Sequence, residues 1–118
     1  MRIKVDKLDV LFSRLVRLRA GGKCEYCGKL KLLPHLQCSH FHGRRKRSTR
    51  YDPDNAVGVC FSCHQYLGSN PYQHTEFFKK HLGSEKFDAL NIRAEIPMKV
   101  DKEKMEASLL EKIKLLGG

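Results

Sequence analysis

The chain has 118 residues, five of them cysteine, and a formal net charge of +10. That length fits a single domain over residues 1–118 with a modest core, one that a metal staple would stabilise materially. No apolar run approaches the roughly 20 residues of a membrane span, and residues 1–10 lack the apolar segment of a secretory leader, so a cytoplasmic chain is expected. In a reducing compartment the cysteines read as metal ligands rather than disulfides, because four of the five fall in two CxxC pairs.

The charge is unevenly spread. Residues 1–50 carry 14 Lys and Arg against 3 Asp and Glu, a net of +11, whereas residues 51–118 carry 9 against 10, a net of −1. A field of one sign over half the chain concentrates a polyanion there, and nucleic acid is the intracellular candidate.

In chain order, residues 6–19 predict an amphipathic helix: Leu8, Leu11, Phe12, Leu15 and Leu18 share a face, Asp6 caps it, and Gly21 with Gly22 ends it. Arg14, Arg17 and Arg19 lie largely off that face, suited equally to core support and to phosphate contact. Cys24 and Cys27, with Gly28 permitting the turn, have the spacing of a zinc knuckle. Residues 36–41 alternate loosely and predict a strand ending at His40. Segment 43–50 has five basic residues in the seven positions from Arg44 to Arg50, too polar and too repulsive to pack inside. It is expected to be an exposed loop whose Arg44, Arg45, Lys46, Arg47 and Arg50 contact phosphates.

Residues 51–55 read as a turn initiated at Asp52 and Pro53, and residues 56–59 as a short apolar strand. A helix over 60–67 presents Cys63 and His64 in its first turn. Asn70 and Pro71 open the next, which runs to Leu82 with Phe77, Phe78 and Leu82 inward and Gly83 as its stop. Ser84 caps a helix over 85–94 with Phe87 and Leu90 on its apolar side. From Asp101 a last helix carries Met105, Leu109, Ile113 and Leu116 at heptad-like spacing, a stripe for the core or for a homodimer face. The expected fold is a small zinc-stapled α+β domain, its core at about residues 20–70 and a helical part over about 71–118.

The chemistry concentrates between residues 38 and 64. Cys60-x2-Cys63 completes, with Cys24 and Cys27, the four thiolates of a closed structural zinc site. Phosphodiester hydrolysis needs a base for water, a cation for the phosphate and leaving oxygen, and a device that holds both in line. His40 at a strand end suits the base, Asn55 can fix the His40 ring or its loop, and His64 can ligate a divalent cation. Another partition stays open: Cys38, His40 and His42 join Cys24 and Cys27 around one zinc, leaving Cys60, Cys63 and His64 for a second. That arrangement would make a non-catalytic zinc-binding nucleic-acid module. Cys38 is otherwise a small buried residue, and His35, His74 and His81 are expected to be solvent-facing or helix-terminal.

The run Cys24-x2-Cys27, His40, Asn55, Cys60-x2-Cys63-His64 resembles the HNH nucleases and their ββα-metal, treble-clef-like fold. Within that superfamily, RLVRLRAGGKCEYCGKL, CSHFHGRR and YDPDNAVGVCFSCHQYLGSNPYQH are similar to the NinG (Rap) phage recombination endonucleases, over residues 12–90. The resemblance implies Mg2+- or Mn2+-dependent cleavage of branched DNA, such as Holliday junctions or D-loops, in a bacterial host cell. It makes His40 the general base, Asn55 the positioning residue, His64 the ligand of the catalytic cation, and the paired cysteines the zinc site. Many HNH enzymes place an acid or histidine just before the base; here that residue is Ser39, a poor ligand for a hard cation, so His42, Asp52, Asp54 or the substrate phosphate is expected to complete the shell.

Overall fold

The computed structural model describes residues 4–118. Its first helix, α1 (Lys7–Ala20), begins in a reciprocal capping box: the Asp6 carboxylate accepts from the Asp9 N–H and the Asp9 carboxylate from the Asp6 N–H. Gly21, at φ 66°, closes it in the left-handed region that only glycine enters without strain. Leu8, Phe12, Leu15 and Val16 are buried along one face. Burial of side chains this size stabilises the fold by roughly 1.5–3 kcal/mol each.

Two strands, β1 (Leu36–His40) and β2 (Ala56–Cys60), pair antiparallel in a register running from Leu36 opposite Cys60 to His40 opposite Ala56. Alternation sends Val57 and Val59 to one face, where Leu36, Leu67, Phe78 and Phe87 join them in a cluster that includes three of the paired cysteines. Ala56 and Gly58 turn the other way, towards α1. Gly58 sits where helix and sheet meet most closely: a Cβ there would lie 3.0 Å from the Ala20 Cβ and 3.4 Å from the Val16 carbonyl oxygen.

The connection between the strands contains α2 (Arg47–Arg50) and a 3-10 turn, Pro53–Asn55. Here the expectation of an exposed loop holds only in part: Arg45 and Arg47 are exposed, but the segment turns helical and is anchored. Thr49 is fully buried, and Arg50 reaches back to α1, its Nε and Nη2 donating to the two Asp9 carboxylate oxygens at 3.0 and 2.6 Å. Lys46 pairs with Glu95. Repulsion within the basic run is therefore relieved by acids from distant parts of the chain, which no local reading reveals. Arg50 in particular is a clamp in the fold, not an exposed phosphate ligand.

Helix α3 (Phe61–Ser69) follows β2 without a gap, then α4 (Pro71–Leu82), α5 (Ser84–Ala94) and α6 (Lys102–Leu115). One expected cap differs: Gly83, at φ 84°, takes the position before α5 and Ser84 is already helical; Asn70 and Pro71 hold the expected cap and first position of α4, with the Asn70 amide donating to the Tyr66 carbonyl. On α6, Leu109 and Ile113 are buried against the Leu8, Phe12 and Val16 face of α1. Of the C-terminal stripe, Leu109 and Ile113 are thus core, Met105 is partly buried and Leu116 stays exposed. Among the described residues no helix is long and apolar enough to cross a membrane.

Candidate active site and metal centre

The first knuckle is a tight turn after α1, with Gly28 at φ 78° and its N–H donating to the Cys24 carbonyl at 2.9 Å. Glu25 locks it onto β2: its N–H donates to the Gly58 carbonyl at 2.8 Å and its carboxylate accepts from the Gly58 N–H at 2.6 Å. Cys60 ends β2 and Cys63 lies in the first turn of α3, so a strand–helix junction delivers the second pair to the first. All four Sγ atoms lie within 4.8 Å of one another, with Cys27 and Cys60 at 3.9 Å.

Those distances fit zinc. Tetrahedral arms of ~2.3 Å place sulfurs about 3.8 Å apart. Burial opposes ionisation of Cys24, but the N–H groups of Cys27 and Cys60, 3.5 and 3.3 Å from its sulfur, bring its pKa down on balance. Ser62 helps hold Cys60 at about 6, while burial and the adjoining thiols push Cys63 up. Four thiolates this close repel, and a divalent cation at their centre lets all four ionise together. The rival partition is not assembled, because Cys38 lies apart from this cluster, on the α1 side of the sheet, with burial pushing its thiol up to about 12.

On that side a groove of about 660 Å3 opens between α1, β1 and the start of α3. Asp9, Ser13 and Arg17 line it from α1, one helical turn apart; His40 comes from the end of β1, Arg44 from the basic segment and His64 from α3. The structure thus brings His40 and His64 to one cavity, outside the four-cysteine cluster. His40 packs on Phe12, ring centroids 5.4 Å apart, and its Nε2 lies 3.2 Å from the Arg50 carbonyl oxygen. A carbonyl only accepts, so Nε2 carries the proton and Nδ1 keeps the lone pair. Burial lowers the His40 pKa below 6.5, against the opposing pull of that hydrogen bond and of Asp9.

Asn55 is fully buried and fixes the loop rather than the ring. Its Oδ1 accepts from the His42 N–H at 2.8 Å, and its Nδ2 donates to the carbonyls of His42 and Thr49 at 2.9 and 3.0 Å. Ser39, buried on the opposite face of β1 from His40, takes no part in the groove. The three side chains expected to complete a cation shell are engaged by α5: His42 Nε2 lies 2.8 Å from Asn91 Oδ1, and Arg93 pairs with Asp52 and Asp54 at 2.7 and 3.3 Å. Among the described residues the four cysteines are the only set of three or more such ligands close enough to share one ion. The groove could offer a cation the imidazoles of His64 and His40, its one carboxylate, Asp9, being already paired with Arg50.

Residues 24–70 match the HNH endonuclease family model. No curated protein and no solved structure matches the chain. The HNH segment holds all four cysteines, His40, Asn55 and His64, and it supports a nuclease acting on DNA. It stops short of α1, so Asp9, Ser13 and Arg17 wall the groove from outside it.

Sequence reasoning did not single out Asp9, Ser13, Asn91 or Arg93. Asp9 had a signal, as an acid on a helix otherwise rich in arginine, but its link to Arg50 spans 41 residues. His74 lies in the first turn of α4, helix-terminal as expected, but it packs between Phe41 and Phe78 with its Nε2 buried and without a hydrogen-bond partner. His35 and His81 are exposed as expected.

Proposed function

We propose that this chain is a metal-dependent endodeoxyribonuclease in which His40 is the general base, Asn55 holds the loop that frames it, and His64 ligates the catalytic cation. The observation that carries this reading is the convergence of His40 and His64 on one groove while the four cysteines make a separate centre. With Nε2–H donated to the Arg50 carbonyl, His40 presents Nδ1 as the acceptor for a proton from water, and its lowered pKa keeps it neutral at pH 7. Arg17 and Arg44 line the same groove and offset charge on the phosphate. Asp9, held ionised by Arg50, keeps that cationic wall in position. A divalent cation at His64, Mg2+ or Mn2+, supplies further neutralisation of the phosphate and leaving oxygen.

Branched DNA as substrate, and a role in phage recombination, rest on the similarity of the knuckle, CSHFHGRR and YDPDNAVGVCFSCH segments to the NinG (Rap) endonucleases. The deciding experiment compares wild type and His40→Ala on a labelled four-way junction and its matched linear duplex, with Mg2+ or Mn2+ added. Cation-dependent cutting of the junction, abolished in His40→Ala with folding and zinc content unchanged, is the expected result. Binding without cutting under either cation would move the assignment to a zinc-binding nucleic-acid module.

A further inference from the structure

The chain has four tyrosines and no tryptophan. Tyr51 is buried, its hydroxyl donating to Asp6 at 2.8 Å. Of the other three, Tyr26 neighbours Tyr66 and shares a surface depression with Tyr72. Tyr26 belongs to the first knuckle, Tyr66 to α3 and Tyr72 to the first turn of α4, with 37%, 44% and 71% of their surface exposed.

Tyr26 stands between neighbours, its ring centroid 6.0 Å from Tyr66 and 5.0 Å from Phe77, and Phe77 stacks on His81 at 5.4 Å. A depression of about 650 Å3 is lined by Tyr26, Tyr72, Phe77 and His81 with Gln73, Glu76 and Lys80, and Tyr66 adjoins it through Tyr26. No aliphatic side chain lines it. Isolated exposed rings are ordinary on protein surfaces, but a continuous row of them is not. Flat rings beside an amide, a carboxylate and a lysine offer stacking faces with a polar edge.

We infer that this aromatic row is a stacking platform for unpaired bases of the DNA substrate. The inference rests on the nuclease reading and names a second place where substrate is held. Two observations favour this occupant: the aromatic and polar lining, in which Lys80 balances Glu76, and the position of α3 between platform and groove. His64 and Tyr66 sit about 200° apart around α3, so one helix width, roughly 10 Å, separates the two sites. An unpaired strand leaving the groove spans that distance in a few nucleotides. Stacking is indifferent to base identity, so the platform selects for single-strandedness and not for sequence.

Fluorescence anisotropy of a labelled oligo-dT of about ten nucleotides and of a blunt duplex of equal length, measured on the zinc-loaded protein, tests the inference. Tyr72→Ala and Tyr66→Ala change exposed positions, and each is expected to weaken oligo-dT binding about tenfold while leaving duplex binding unchanged. Tyr72→Phe keeps the ring and is expected to bind like wild type. With no tryptophan present, quenching of tyrosine emission by unlabelled oligo-dT reads the same contact directly. Unchanged oligo-dT affinity in both alanine variants, or equal weakening for oligo-dT and duplex, would overturn the platform. Its failure is separable from failure of the nuclease reading: junction cutting can persist without the platform, and Tyr72-dependent binding can persist in a protein that cuts nothing.

Discussion

Asn55 holds the backbone of His42 from both sides, accepting from its N–H at 2.8 Å and donating to its carbonyl at 2.9 Å. The same amide also reaches the Thr49 carbonyl at 3.0 Å, so one buried side chain closes the loop between the end of β1 and α2. Replacement by alanine leaves these backbone groups without partners. Asn55→Ala is expected to cost about 3 kcal/mol, lowering Tm by roughly 10 °C. Asn55→Asp should cost at least as much, because it turns a carboxylate towards two carbonyl oxygens. Thermal melts of both variants, with zinc content measured alongside, check this; a melt like that of wild type would deny Asn55 its bracing role.

The acid limb of catalysis should report His40. Burial depresses its pKa below 6.5, so the neutral, proton-accepting form persists to lower pH than for an exposed imidazole. The acid limb of the cleavage rate should therefore have its midpoint below pH 6.5. A limb centred above 6.5 in a single-turnover profile would identify another group as the base.

Acid stability should depend on Asp9. Burial works to raise its pKa, but the Arg50 and Asp6 hydrogen bonds outweigh it and leave the carboxyl below its ordinary 3.8. A depressed carboxyl pKa contributes stability that is fully present above the unfolded value and lost as pH falls through the folded one. Asp9→Asn is therefore expected to lose roughly 3 kcal/mol at pH 7, since it strands the nearly buried Arg50, and to lose less at pH 2–3. Denaturant melts at the two pH values measure the difference, and equal losses would count against the pair.

One zinc per chain is the expected stoichiometry, held by Cys24, Cys27, Cys60 and Cys63. Cys60→Ser or a strong chelator should unfold the region around both knuckles, because binding energy at a structural zinc is folding energy. Two tightly held zinc ions in metal analysis of the purified protein would revive the partition that draws on Cys38 and His40.

Arg45 and Arg47 remain exposed, while Arg44 lies 3.6 Å from Asp9 and Arg50 is ion-paired with it. Alanine at 45 and 47 should weaken DNA binding and reduce the salt-dependence slope by up to about 0.9 for each phosphate no longer neutralised, with little change in Tm. Arg50→Ala should do the reverse. A Tm loss shared by all three substitutions would mean that the whole segment is structural.

Much of this architecture was legible because it is local. Capping residues, helical periodicity and glycine stops located α1, α4 and α5 to within a residue, and the two CxxC spacings singled out the four cysteines that the fold brings together. What escaped depends on contacts between distant segments. The sequence around Arg50 looks like a loop because its partner Asp9 lies 41 residues away, and Asp52 and Asp54 look available for metal because Arg93 lies far downstream. The C-terminal stripe could not declare its partner, since a heptad-like face fits a second copy as well as α1.

Gly58 bears on what the groove can admit. Its missing side chain lets α1 lie against β2 with Ala20 at the point of contact, and α1 carries the Asp9, Ser13 and Arg17 wall while the neighbouring β1 carries His40. A single methyl at position 58 would require α1 to give by a few tenths of an ångström, shifting that wall outward. The aperture presented to a DNA strand is in that sense calibrated by one absent carbon, set beside the backbone of Arg17 in the wall itself.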